Sequence, residues 1–259
     1  MQERLSLYVH RDSPLHRLNP LTKLTLTFSL ILVAFSSPWY WTATALIFVA
    51  ILPLSAAGRV WREYLWAALR LLVPVAGFIF VMQSIFLPIG ETILVKFWVL
   101  DIKAEALAQA YLTASRIFTM VSSFIIFLLA THPSELMGDL TRRGLPGQFA
   151  YVIVSTLQII PQMQAKAQTI IAAQRSRGLE TEGSYLKRVG ALVPLVRPLV
   201  FGSLVEVEER AIAIEARGFT STRAKSFLRE IPDTSTDKTI RWVLLVIILL
   251  SFASNLWRS

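Results

Sequence analysis

Apolar residues in this chain are gathered into long runs. From Leu24 to Ala57 the sequence is predominantly apolar for 34 residues, interrupted at Ser36, Ser37 and Pro38. Two helices of about 17–20 residues, rising about 1.5 Å per residue, would fill that length and each cross a hydrocarbon core about 30 Å thick. The interruption carries Trp39, Tyr40 and Trp41, as expected of a tight turn at an aromatic membrane interface. Further apolar runs predict a third span from about Leu65 to Leu87, a fourth from about Ala106 to Ala130 and a last from about Trp242 to Trp257. The segment from Pro88 to about residue 105 reads as a loop. Region 131–241 behaves differently. Thr131-His132-Pro133 predicts a helix start, with Glu135 at the positive dipole end, and Arg143-Gly144-Leu145-Pro146 predicts its stop. A long helix is expected from about Gln148 to Arg177, bent near Pro161, and another from about Val189 to Arg217.

Each of these two helices is apolar first and polar later. Phe149–Ile160 and Ala191–Val205 are short for a membrane crossing and contain or border proline, which suits a segment lying in the interface or packed under a bundle. A crossing pair, giving seven spans, is the competing arrangement.

Composition supports the bilayer reading. The chain is 54% hydrophobic and 17% charged, whereas soluble domains carry about 25% charged residues. With no cysteine, disulfides, thiolate metal sites and cysteine nucleophiles are excluded. The three histidines, His10, His16 and His132, are too scattered to suggest a metal site. The polar N-terminal stretch lacks the apolar core and cleavage site of a signal peptide, so the first apolar run is expected to be retained.

The net charge of +9 is informative through its placement. Arg4, Arg11, Arg17 and Lys23 precede the first span, Arg59, Arg62 and Arg70 mark the second-to-third connection, and fifteen cations fall in 131–241. The loop at 36–41 has none, and the loop at 88–105 has only Lys96 and Lys103. The positive-inside rule then predicts a cytoplasmic N-terminus, a cytoplasmic 131–241 region and about five spans. The fold class expected is an all-α membrane protein with a cytoplasmic domain of long amphipathic helices. Its parts are an N-terminal arm and four-span bundle over 1–130, the helical domain over 131–239 and a C-terminal span over 240–259.

The two long cytoplasmic helices end alike, in Ser176-Arg177-Gly178 and Ala216-Arg217-Gly218. One such end is ordinary capping, with arginine meeting the negative dipole end and glycine closing the helix. Two of them, each a planar cation beside minimal side chains, suit docking of helix ends into grooves on a partner that offers carboxylates. Arg116, inside the fourth span, is a costly charge, expected to face protein or snorkel outward, with a partner-contact or gating role as the alternative. Arg70 reads as an interfacial anchor, and Glu206 with Arg210 as a helix-face pair. No phosphate-binding loop, zinc-protease or serine-elbow motif occurs, so no catalytic residue, cofactor site or metal site is expected.

These paired ends resemble the coupling helices of T components of energy-coupling-factor importers, the CbiQ/BioN-like family, in which Ala-Arg-Gly-like motifs dock into ATP-binding-cassette ATPases. Ala216-Arg217-Gly218 matches directly, while Ser176-Arg177-Gly178 puts serine in place of the first alanine. Residues 13–24 are similar to the family's N-terminal segment, although Asn19-Pro20-Leu21 stands where Asp-Pro-Arg is usual. Asn19 still suits a helix cap, with Pro20 in the first turn. Thr131–Pro146 and Ile160-Pro161 also fit the pattern.

The resemblance implies a non-catalytic subunit of the inner (cytoplasmic) membrane. It would couple two ABC ATPase subunits, which hold ATP and magnesium, to reorientation of a small membrane-embedded substrate-binding (S) subunit in vitamin or transition-metal uptake. Its partners would be those subunits and the lipid bilayer, with no nucleic acid. An autonomous channel or secondary transporter is the alternative.

Overall fold

Three helices begin on one local code, a polar residue followed by proline. In the computed structural model, which describes residues 8–9, 11–37, 39–97, 100–178, 185–219, 221 and 232–256, Ser13 caps α1 (Pro14–Arg17) and Asn19 caps α2 (Pro20–Ser36). His132 caps α6 (Pro133–Arg142), its Nδ1 accepting from the Ser134 amide at 3.2 Å. Proline has no N–H to leave orphaned, and its fixed φ already suits the first turn. Between α2 and α6 lie α3 (Thr42–Ala57) and α4 (Trp61–Phe86), then the strands β1 (Ile93–Phe97) and β2 (Leu100–Lys103), then α5 (Ala104–Ala130). After α6 come α7 (Gly147–Ser176), α8 (Tyr185–Ala216) and α9 (Ser235–Leu256).

The protein is an all-α membrane protein apart from one hairpin. Helices α4, α5 and α9, with 26, 27 and 22 residues, are long and apolar enough to cross a bilayer, whereas α2 and α3 are shorter apolar helices. These five elements are the five apolar runs of the sequence. Among the described residues, α7 and α8 are not among the helices long and apolar enough to cross. The segment expected to be a loop before α5 instead contains the antiparallel pair β1–β2, with Phe97 opposite Leu100 and an irregular register between Ile93 and Val95. That run is too short to cross a membrane, so two strands pairing locally satisfy its backbone donors and acceptors.

By contacts the chain forms two compact units, one from Ser6–Leu145 with Ile231–Ser259 and one containing Pro146–Glu230. In the first, α5 is the central post, touching α2, α3 and α4, while α9 lies along α2. Buried Ala106, Ala110, Ser122 and Ser123 let neighbouring backbones approach α5 closely. Tyr64 donates to Ser122 at 3.0 Å, and Thr119 donates to the Ala43 carbonyl at 3.1 Å.

Arg116 turns inward. Its Nε donates to the Ala34 carbonyl at 3.0 Å and its Nη2 to the Ser37 carbonyl at 2.9 Å, at the C-terminal end of α2. No intrahelical N–H reaches such carbonyls, and the guanidinium meets the negative end of the helix dipole. Replacing it in Arg116→Met is expected to destabilise the protein by about 2–3 kcal/mol, the scale of charge-assisted hydrogen bonds. Thermal unfolding in mild detergent measures this, and a change within about 0.5 kcal/mol would show that the contact is not structural.

At the other end of the bundle, polar groups tie helix starts together. Lys23, 3% exposed, donates to the carbonyls of His16 at 3.0 Å and Ala130 at 2.9 Å. Asp237, 2% exposed, accepts the backbone N–H of Asn19 at 3.1 Å and of Thr234 at 3.2 Å. This joins the first turns of α2 and α9. Asp233, which bonds both Arg241 and Arg143, links the start of α9 to the end of α6. The hydrogen bond from Arg241 and the nearby charges of Arg241 and Arg143 hold its carboxyl below the usual carboxylate range.

Candidate functional site

The two sequence triplets stand at the C-termini of α7 and α8, within one compact unit. Ser176 is the last residue of α7, and Arg177 follows as its cap with φ −90° and ψ 7°. Gly178 has φ +90°, and its N–H donates to the Arg175 carbonyl at 3.0 Å. Ala216 is the last residue of α8. There Gly218, with φ +72°, donates to the Glu215 carbonyl at 2.9 Å, and Phe219 donates to the Ile214 carbonyl at 3.2 Å. That double closure is a Schellman motif, which needs a left-handed residue where a side chain other than glycine is strained.

A Cβ at Gly178 would meet nothing within 4 Å, so backbone conformation rather than space explains glycine there. The sharp stop leaves each arginine at the tip of a helix. Both are exposed, and among the described residues neither guanidinium has an ion-pair partner.

The helices run in opposite directions. Tyr151, near the start of α7, packs at a tilt against Phe219, just after α8, with centroids 5.3 Å apart. Farther along, Ser203 Oγ lies 3.6 Å from Met163 Sδ, and Lys166 bonds Glu206. Beyond that point Thr169 and Ile170 share a groove with Pro198, Leu199 and Gly202. From the Tyr151–Phe219 contact to the groove at Thr169 and Ile170, numbering rises along α7 while it falls along α8. The structure therefore does not bring the triplets together. Arg217 stands beside the Tyr151 end, and Arg177 lies about 26 residues of helix away, a separation on the order of 40 Å.

The electrostatics of the pair centre on Glu206. Arg210 is 3.6 Å away, as the i, i+4 spacing predicts, but the closer partner is Lys166 on the other helix. The Lys166 hydrogen bond, with the charges of Lys166 and Arg210, holds the Glu206 carboxyl below its usual range. Sequence spacing finds partners on the same helix only, so this link was not legible. Nor was Phe219 as an aromatic latch, although it directly follows the second triplet.

Much of the pair's apolar surface is bare. Phe149, Val152 and Leu157 on α7, with Val200, Phe201, Leu204 and Ile212 on α8, are exposed, and Ala150 is the buried residue recorded for α7. Among the described residues no group of three or more histidine, cysteine, aspartate or glutamate side chains is placed to hold a metal. The arrangement presents two cationic tips and unpartnered apolar faces, chemistry suited to docking.

The family model CbiQ, described as cobalt transport protein, matches residues 11–227 and so includes both triplets. The energy-coupling factor transporter transmembrane protein EcfT of Limosilactobacillus fermentum is 28% identical over 262 aligned positions, covering 96% of each chain. The protein of the same name from Listeria innocua is 28% identical over 242 positions, covering 88% of this chain and 90% of that one. A third, from Thermanaerovibrio acidaminovorans, is 30% identical over 269 positions, covering 98% of this chain and 95% of that one.

Proposed function

The chain belongs to the CbiQ family and is a transmembrane component of an energy-coupling-factor transporter, and from that premise we propose that it carries mechanical work from two ATPase subunits to a substrate-binding membrane subunit. Arg177 and Arg217 are the docking cations, one for each ATPase. Ser176 and Ala216 keep the approach narrow, and Gly178 and Gly218 end the helices so that the guanidiniums lead. The exposed apolar faces of α7 and α8 hold the small membrane subunit. The chain itself is non-catalytic, and ATP with its magnesium ion resides in the partners. Residues 131–239 form the coupling region on the cytoplasmic side of the inner membrane, and the cargo is a vitamin or a transition-metal ion.

One observation carries this reading: two exposed arginine tips, without ion-pair partners among the described residues, lie on the order of 40 Å apart at opposite ends of one helix pair. A single socket cannot take both tips, whereas two copies of one partner can. The spans offer little for a transporter working alone, since such proteins line their path with ionisable groups and Arg116 is committed to backbone carbonyls.

Affinity purification of the tagged chain from its native membrane in mild detergent, with mass spectrometry of what accompanies it, tests the reading. Two ATPase subunits and a small hydrophobic protein are expected. Recovery of the chain alone, under conditions that preserve a known transporter complex, would favour an autonomous channel or secondary transporter.

A further inference from the structure

Helix α4 enters its apolar stretch with two opposite faces of very different character. Val60, just before the helix, and Tyr64, Ala68 and Leu72 within it are buried at 0–5% exposure. The opposite row, Arg62, Trp66 and Arg70 at intervals of four, is exposed, and Arg59 in the preceding turn extends it. Among the described residues none of these three arginines has an ion-pair partner. Glu63 bonds Arg11 instead, at 2.7 Å.

We propose that Arg59, Arg62 and Arg70, arranged around Trp66, bind the phosphate of an anionic phospholipid headgroup. The level is right for a headgroup. On the same side of the helix Leu69 and Val73 are 60% and 50% exposed and Phe78 farther on is 64% exposed, so the face turns from cationic to bare apolar within one or two helical turns. A helix carrying such a face at the edge of a 26-residue span meets lipid, and an exposed tryptophan at the transition is characteristic of the membrane interface.

The direction of Arg70 agrees. Side chains on a helix lean toward its N-terminus, and Arg70 reaches back so that its Cζ lies 4.6 Å from the Trp66 ring centroid. This carries the charge out of the hydrocarbon layer toward Arg62. Arg59 adds a conformational observation. It is the one non-glycine residue with positive φ among the described residues, at 54°. Gly58 beside it cannot carry a side chain without pressing on Leu15, whose Cδ2 lies 2.9 Å from a Cβ built there. The turn thus holds an arginine in a strained conformation at the rim of the same patch. Planar guanidinium forks suit phosphate oxygens in bidentate fashion. Three cations in a row without ion-pair partners among the described residues, next to an exposed apolar surface, complement an anionic headgroup rather than a zwitterionic one.

The test uses the full-length chain purified in mild detergent, incubated with equimolar phosphatidylglycerol and phosphatidylcholine, with retained lipid counted by native mass spectrometry. Wild type is expected to prefer phosphatidylglycerol. Since a cation at a membrane surface contributes roughly a factor of five, the R59Q/R62Q/R70Q variant is expected to lose that preference on the order of a hundredfold. R62Q/R70Q, which leaves the strained turn untouched, should lose roughly 25-fold. The R17Q/R197Q/K238Q variant removes as much charge elsewhere and should stay within about twofold of wild type. Millimolar inorganic phosphate should not displace the lipid. Unchanged preference in both row variants overturns the proposal, as does an equal loss in the R17Q/R197Q/K238Q variant or displacement by inorganic phosphate.

Discussion

Reversing both docking charges, in an Arg177→Glu/Arg217→Glu variant, is expected to abolish ATPase association and reduce uptake to background. A bidentate guanidinium–carboxylate contact contributes about 1.5–3 kcal/mol, so losing one weakens docking about 10- to 100-fold. Glutamate then adds repulsion against the same acidic groove. Both arginines are exposed and lack ion-pair partners among the described residues, so the isolated chain should unfold within about 0.5 kcal/mol of wild type. On the proposal that the tips serve separate sockets, each single reversal should leave one ATPase bound per chain, a stoichiometry that light scattering of the purified complex reads directly. Lysine at either position keeps the charge without the fork, so its effect should be intermediate. Full association and uptake by the double variant would show that these residues have been wrongly assigned.

The largest effect on stability is expected at Asp237. Replacing it with alanine removes the acceptor for two backbone N–H groups, those of Asn19 and Thr234, and takes a negative charge from the neighbourhood of buried Lys23. A buried donor left unpaired costs about 1–3 kcal/mol, and breaking up a buried charge cluster costs about 3–5 kcal/mol. Loss of Asp237 should therefore destabilise the bundle by about 3–5 kcal/mol. Asp237→Asn keeps one acceptor oxygen and should recover roughly half of that loss. Thermal unfolding of the three proteins in the same detergent distinguishes the outcomes, and equal midpoints would show that the first turns of α2 and α9 need no such tie.

The membrane helices were legible because a bilayer imposes both a length and an apolar composition on whatever crosses it. The runs ending at Ser36, Leu87 and Ala130 gave boundaries within a few residues of α2, α4 and α5. Local capping was equally readable. Asn19 before Pro20, His132 before Pro133 and glycine after Arg143, Arg177 and Arg217 act within one turn, where sequence neighbours are also spatial neighbours. What escaped was contact at long range. Asn19 and Asp237 are 218 positions apart and Arg116 and Ala34 are 82 apart, and nothing in a linear pattern pairs them. The hairpin at Ile93–Lys103 was missed for a different reason. Its strands are too short to compete with the Pro88 and Gly90 turn signals, and only their mutual pairing makes them strands. At the candidate site, the helix ends and their glycines were readable, but the opposed directions of α7 and α8 were not. Those directions decide that the two arginines stand at opposite ends of the helix pair.

The brevity of α2 and α3 bears on the membrane itself. At about 1.5 Å per residue, helices of 17 and 16 residues reach roughly 24–26 Å, several ångströms short of an average hydrocarbon core. Phe28, Leu32, Phe48 and Val49 nonetheless turn 49–76% of their surface outward, so lipid must meet them. The shortfall costs fractions of a kcal/mol per ångström of mismatch, while the 26-residue α4 is long enough to leave none. Membranes accommodate such short helices by local thinning, by snorkelling of flanking side chains or by association with another helix, so the flank of α2 and α3 is where this chain and an average bilayer match least well.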